Sequence, residues 1–252
     1  MLISIISQPI SYSMSKLFNN LFDIGYFPDL WKIAHIMAIY KRSGSKVSKT
    51  NFRPISILPT LSKIFESVIH ERLLSHWKEN SIITEKQAAY LKGDSTINQL
   101  FYIVHSIRSN WDQNKITHGL FLDISAAFDK VWHNGLIAKL NQIGINGSFL
   151  STLQTYLSGR RQVVVVDGER SDVLDVQAGV PQGSRLGPLL FIIYINDIAE
   201  NLESDVLIFA DGTSLLASGL DPAETVAMIN RDLEKISEWA KKWKITFCAK
   251  KH

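Results

Sequence analysis

The sequence predicts an α+β protein, with a small antiparallel sheet and helices packed on one face. Three observations predict it. Apolar residues recur at helical steps of three and four in several segments, short strand-like runs alternate with those segments, and Gly or Asp-Gly punctuates the boundaries. With 252 residues, 46% hydrophobic and 20% charged, the chain has enough apolar material for a sizeable core and one or two domains.

Each element has its own justification. Leu61, Ile64, Phe65, Val68, Ile69 and Leu73 repeat at helical spacing, as do Leu100, Ile103, Val104 and Ile107 in a helix opening at Asp94 or Ser95. HGLFLDI (118–124) reads as a strand ending on Asp123. Leu136, Leu140 and Ile143 mark a helix stopped by Gly144; Phe149, Leu153, Tyr156 and Leu157 mark another stopped by Gly159. RQVVVVDGERSDVLDV (161–176) is a hairpin turning at Asp167-Gly168, and an apolar helix entered past Ser184 and Pro188 runs through Ile198. LIFADGTSLL (207–216) reads as a second hairpin turning at Asp211-Gly212. Asp221-Pro222-Ala223-Glu224 has the form of a helix start, with Asp as cap and Pro first. Val226, Ile229, Leu233, Ile236, Ala240 and Trp243 follow on the face that should cover the sheet. Ile245-Thr246-Phe247 looks like the start of a further strand, and the chain then stops in a lysine-rich stretch, as though cut short.

Composition narrows the function classes. A single cysteine, Cys248, excludes an internal disulfide and a Cys-rich zinc site. MLISIISQPISY lacks a basic start and is broken by Pro9, so it makes a poor signal peptide, and LGPLLFIIYI (186–195) is too short to span a bilayer. The sequence reads as a soluble protein with no membrane partner. Net charge is only +3, but 41–53 and 241–252 each carry five basic residues and no acid. Such runs are either solvated faces or contacts for a polyanion such as nucleic acid. If strands 118–124 and 205–217 are neighbours, the Asp123 and Asp211 carboxylates converge on one sheet edge, where they would suit a metal ion. The alternative is that the Asp211 segment is simply a turn.

Taken in order, FLDISAAFDKVWHNGLIAKL (121–140), AGVPQGSRLGPLLFIIYINDI (178–198) and LIFADGTSLL resemble a reverse transcriptase, more narrowly that of a LINE-type (non-LTR, jockey-like) retrotransposon. KRSGSKVSKTNFRPISILPTLSKIFE (41–66) and WKITFCAKKH (243–252) match as well, so the resemblance runs from about Ile10 onward. It implies the fingers and palm of a right-hand polymerase: an N-terminal helical segment at 1–25, fingers at 26–115, and palm at 116–252, interrupted by finger-type elements and truncated before the thumb. It also implies an RNA template, a DNA primer and dNTPs as partners, two Mg²⁺ ions (or Mn²⁺) as cofactors, and a cytoplasmic or nuclear location.

The implied roles fall on individual positions. Asp123 and Asp211 are the metal-binding catalytic aspartates, and the backbone carbonyl of Ile124 adds a ligand. Gly212 stands where the family's FADD hairpin has its second aspartate, so this copy is expected to show very low or no polymerase activity. Phe128 matches the aromatic that closes the sugar pocket against a 2′-hydroxyl, or is an ordinary core ring. Gln182 and Gly183 match the segment along the incoming nucleotide and template, or form a simple turn. Lys41 and Arg53 match triphosphate-holding residues of the fingers. Lys251 matches a lysine near the leaving pyrophosphate, although Cys248 replaces the family's usual Asn. Asp129 and His133 read as structural. The alternative function is a non-catalytic nucleic-acid-binding or protein-interaction remnant of such a polymerase.

Overall fold

A computed structural model describes residues 2–89 and 95–248. The chain divides into two compact units, one formed by 1–73 and 133–187, the other by 74–132 and 188–252.

The first unit holds α1 (Leu2–Asp23), β1 (Ile33–Tyr40), β2 (Phe52–Ile57), the first part of α2 (Thr60–Glu79), α4 (His133–Gln142), α5 (Gly147–Leu157), β4 (Arg160–Val166), β5 (Glu169–Arg170) and β6 (Leu174–Val176). Its sheet has the order β2-β1-β4-β5, with β6 also on β4, and β1 runs parallel to β4. The sequence pattern did not separate β1 and β2, because IAHIMAIY is apolar at too many positions to show alternation. The hairpin at Asp167-Gly168 forms as expected. Both turn residues have positive φ (52° and 90°), as a two-residue turn of this hand requires. The core of this unit is aromatic: Phe65, fully buried, lies 5.0 Å from Phe18 and 5.5 Å from Phe27 between ring centroids, and Phe27 meets Tyr156 edge-on at 4.9 Å.

The second unit holds α3 (Thr96–Asp112), β3 (Ile116–Asp123), α6 (Gly187–Ile195), β7 (Asp205–Phe209), β8 (Gly212–Gly219) and α7 (Pro222–Lys242). Its sheet is antiparallel in the order β3-β8-β7. Every residue from Leu189 to Ile195 is buried, as expected for a helix apolar on all sides. The predicted apolar helix ends in a 3-10 turn over Asn196–Ala199. Asp221 caps α7 by accepting from the Ala223 amide (2.8 Å). Thr225, Ile236 and Ala240 of α7 are buried, and Thr225 Oγ1 meets His118 Nδ1 of β3 at 2.7 Å. Asp232 of the same helix is also buried; its carboxylate accepts from the Glu203 and Ser204 amides at 2.9 and 2.8 Å.

Three expectations are corrected. The second hairpin turns at Ala210-Asp211, with Phe209 paired to Gly212; Ala210 takes the positive φ (52°), and Gly212 begins β8 in ordinary strand conformation. Although α3 starts on the Ser95 cap as predicted, its apolar stripe faces outward: Leu100 is 63%, Phe101 73% and Trp111 76% exposed. Polar side chains attach it instead, with Gln99 donating to the Ile208 carbonyl (2.7 Å), Tyr102 to Asp205 (2.8 Å) and Asn110 to Ser218 (3.0 Å). The strand expected at 245–247 reduces to one bridge, Ile124 with Phe247, flanked by bonds from Ser125 N to Thr246 O and from Cys248 N to Asp123 O, both 2.8 Å. Among the described residues, no helix is long and apolar enough to cross a membrane.

Candidate active site

The site is built on the end of the β3–β8 ladder. Asp123, the last residue of β3, lies directly opposite Gly212, the first of β8. Opposed residues share a sheet face. The face carrying His118, Leu215 and Ala217 is covered, whereas Asp123 and Gly212 lie on the other face with Phe121, which is 69% exposed. Just past the ladder, the Ile124 amide donates to the Asp211 carbonyl (3.2 Å), holding the hairpin turn beside the end of β3. The two aspartates are therefore neighbours, Asp123 exposed at the end of β3 and Asp211 half-buried in the adjoining turn. Burial pushes the Asp211 carboxyl above its ordinary range, and the charge of Asp123 adds to that rise.

Cys248 adjoins Asp123, and Phe128 follows the end of β3 in sequence. Phe128, half-buried in a 3-10 turn (Ala127–Lys130), stacks on Phe191 at 5.1 Å, so one ring face already serves packing. The Cys248 thiol is raised by desolvation and by its hydrogen bond to Asp123. Gln87 was not anticipated from sequence. It is 2% exposed, and its Oε1 accepts from the Ala89 amide (2.9 Å) and the Ala210 amide (3.2 Å), bracing the turn that presents Asp211. No sequence periodicity marks it, since it makes only an isolated bridge, with Ile208, outside the longer elements.

As a donor set, two carboxylates beside backbone carbonyls fit a hard divalent cation that keeps several water or substrate-oxygen ligands. Among the described residues there is no group of three or more His, Cys, Asp and Glu that could hold a metal, and Gly212 occupies the position where a third carboxylate would lie beside Asp123.

Lys41, Arg53, Gln182 and Gly183 belong to the other unit. Arg53 on β2 pairs with Ile39, and the Lys41 amide donates to Asn51 O (2.8 Å), so alternation puts both cations on one face of the β1–β2 ribbon. Both are exposed, and Lys41 Nζ donates to Thr50 O at 2.9 Å. Gln182 O accepts from the Ser56 amide of β2 (2.7 Å). Gly183 has φ +107°, and a Cβ there would stand 2.9 Å from Ser56 O, so only glycine fits. His133 meets Gly179 O at 2.8 Å and is half-buried, a structural role as expected; desolvation lowers its pKa. Lys251 lies outside the described residues.

Comparison with solved structures finds the same fold in telomerases. The chain matches apo telomerase from Candida tropicalis with a TM-score of 0.62 at 12% identity, over 95% of this chain and 48% of that one. It matches Candida albicans telomerase, solved with a fragment of telomeric RNA, with a TM-score of 0.59 at 14% identity, over 86% and 42%. This fold is that of polymerase fingers and palm.

A family model described as reverse transcriptase (RNA-dependent DNA polymerase) matches residues 39–252, and the chain belongs to that family. Members generally use divalent metal ions. Similar relatives are the probable RNA-directed DNA polymerase from transposon X-element of Drosophila melanogaster (36% identical, covering 94% of this chain and 26% of the relative) and that from mobile element jockey of the same fly (33%, covering 94% and 27%). The chain thus spans about a quarter of the length of these relatives. The resemblance to non-LTR retrotransposon polymerases is borne out.

Proposed function

We propose that this chain is the RNA-templated DNA-synthesis domain of a non-LTR retrotransposon polymerase, with a metal site weakened by Gly212. The pairing of β3 with β8, which sets Asp123 beside the Asp211 turn, carries the reading. In this reading Asp123, Asp211 and the Ile124 carbonyl hold Mg²⁺, with Mn²⁺ able to substitute. When bound, a pair of such ions lowers the cost of the negative charge that develops at the attacking and leaving oxygens. Lys41 and Arg53 hold the triphosphate of a dNTP, Arg53 as a two-pronged donor. Gln182 and Gly183 lie along the nucleotide and RNA template, Phe128 closes the sugar pocket, and Lys251 serves the leaving pyrophosphate. Residues 26–115 act as fingers and 116–252 as palm, and the protein works on a DNA primer in cytoplasm or nucleus.

Missing the carboxylate at 212 removes one anion from a set that works as a unit, a loss on the order of 10³ or more in rate. Primer extension on an RNA template with Mg²⁺ and with Mn²⁺ tests the reading: extension far below that of the Gly212→Asp variant supports it, and no extension by either overturns it. Gly212 also favours a second reading, a non-catalytic nucleic-acid binder. Tight binding with steep salt dependence, and no extension even by Gly212→Asp, is its signature.

A further inference from the structure

Glu66 is a carboxylate with no access to solvent, on the inward side of α2 among Phe65, Ile69 and Leu73. A buried carboxylate is costly unless its oxygens are bonded. Those of Glu66 are. Oε1 accepts from Ser62 Oγ one helical turn earlier (2.9 Å), and Oε2 accepts from the backbone amides of Arg185 (2.8 Å) and Leu186 (3.3 Å). Desolvation raises its pKa; Ser62, the nearby Arg160 guanidinium and the two amides oppose that rise.

The amides it holds follow PQGS directly. The same segment is tied at its other end, where Gln182 O accepts from the Ser56 amide (2.7 Å), and inside, where Ser184 Oγ accepts from the Gly187 amide (2.8 Å). Ser56 lies three residues beyond Arg53 on β2, so one turn is strapped between the strand bearing Arg53 and the helix bearing Glu66. A carboxylate suits this place because two converging N–H groups need an acceptor that requires no donor in return.

We propose that Glu66 is a positioning residue that fixes the 182–186 turn against β2, and so sets where Gln182 and Gly183 meet template and nucleotide. The proposal rests on the polymerase reading for those two residues. It predicts that geometry of the acceptor, not charge, is what matters. Glu66→Gln keeps an oxygen at the same reach; Glu66→Asp keeps the charge but withdraws it by one methylene.

The test is amide hydrogen exchange at Arg185 and Leu186, with β4 as internal control, alongside the affinity of the full chain for an RNA template annealed to a DNA primer. Glu66→Gln should match the parent in both. Glu66→Asp should exchange about tenfold faster or more at the two amides and bind about tenfold more weakly, the loss expected when a buried amide no longer reaches its acceptor. Unchanged exchange in Glu66→Asp, or losses in Glu66→Gln as large as in Glu66→Asp, overturns the proposal. If Glu66→Asp does not fold, Glu66→Gln decides alone: parental exchange and affinity support the role, and loss of either overturns it. A parent that binds no primer–template sinks the polymerase reading instead, and the exchange ranking still decides whether Glu66 holds the turn.

Discussion

Gly212→Asp places a third carboxylate where the β3–β8 register sets it directly opposite Asp123. The backbone accepts the change: Gly212 is in ordinary strand conformation, and a Cβ there meets nothing nearer than Phe209 O at 3.5 Å. Opposed Cβ atoms on antiparallel strands stand about 5 Å apart. Two unit charges at that distance repel by about 1 kcal/mol in water and about 3 kcal/mol at an effective dielectric of 20. Asp123 is exposed, so the lower part of that range applies, about 1–2 kcal/mol. For a chain of this size that is a fall in Tm of roughly 2–8 °C without metal. Replacing glycine also restricts the unfolded chain and stabilises by about 0.4–1 kcal/mol, so Gly212→Asn serves as the uncharged control. The expected outcome is a Tm for Gly212→Asp below that of Gly212→Asn in chelator, reversal of the order in millimolar Mg²⁺, and primer extension on the order of 10³ faster than the parent. Equal melting of the two variants with and without Mg²⁺, or extension by the parent as fast as by Gly212→Asp, refutes the reasoning.

Further predictions concern neighbouring groups. The folded pKa of Asp211 is raised, so the native state holds this proton to higher pH than the unfolded chain and ionised Asp211 costs stability. Asp211→Asn should therefore raise Tm at pH 7 in chelator, the gain vanishing as the pH falls to the ordinary 3.8. Glu203, bonded to Arg231 (2.7 Å) and Lys235 (3.1 Å), is held down to about 2. An NMR titration should find it ionised at pH 3, with Arg231→Ala moving its midpoint back toward 4.5, and its contribution to stability present above 4.5 and lost as the pH falls through about 2. Gln87→Leu leaves the amides of Ala89 and Ala210 without their acceptor and should cost about 2 kcal/mol in urea denaturation, with no change in the m-value.

Much of the site was legible in the sequence because strand ends and caps are local. Asp123 closes β3, Ser95 and Asp221 cap their helices, and Asp167-Gly168 turns its hairpin, each by chemistry carried within a few residues. The shift of the second turn to Ala210-Asp211 was not legible, since Asp-Gly is the better local turn and the alternative is held by a distant acceptor, Gln87. The orientation of α3 was hidden for a similar reason: its polar anchors lie about a hundred residues away, on β7 and β8. Glu66 did leave a signal, an acid on the same helical phase as Ser62, Ile69 and Leu73, where apolar periodicity calls for a buried residue.

The most direct test of the metal site is Mn²⁺ binding followed by electron paramagnetic resonance, on the parent chain beside Asp123→Asn and Asp211→Asn. The account predicts one class of bound Mn²⁺ in the parent that weakens at least tenfold in either variant, because both carboxylates touch the same ion. Binding that survives both substitutions, or that responds to only one of them, would contradict it.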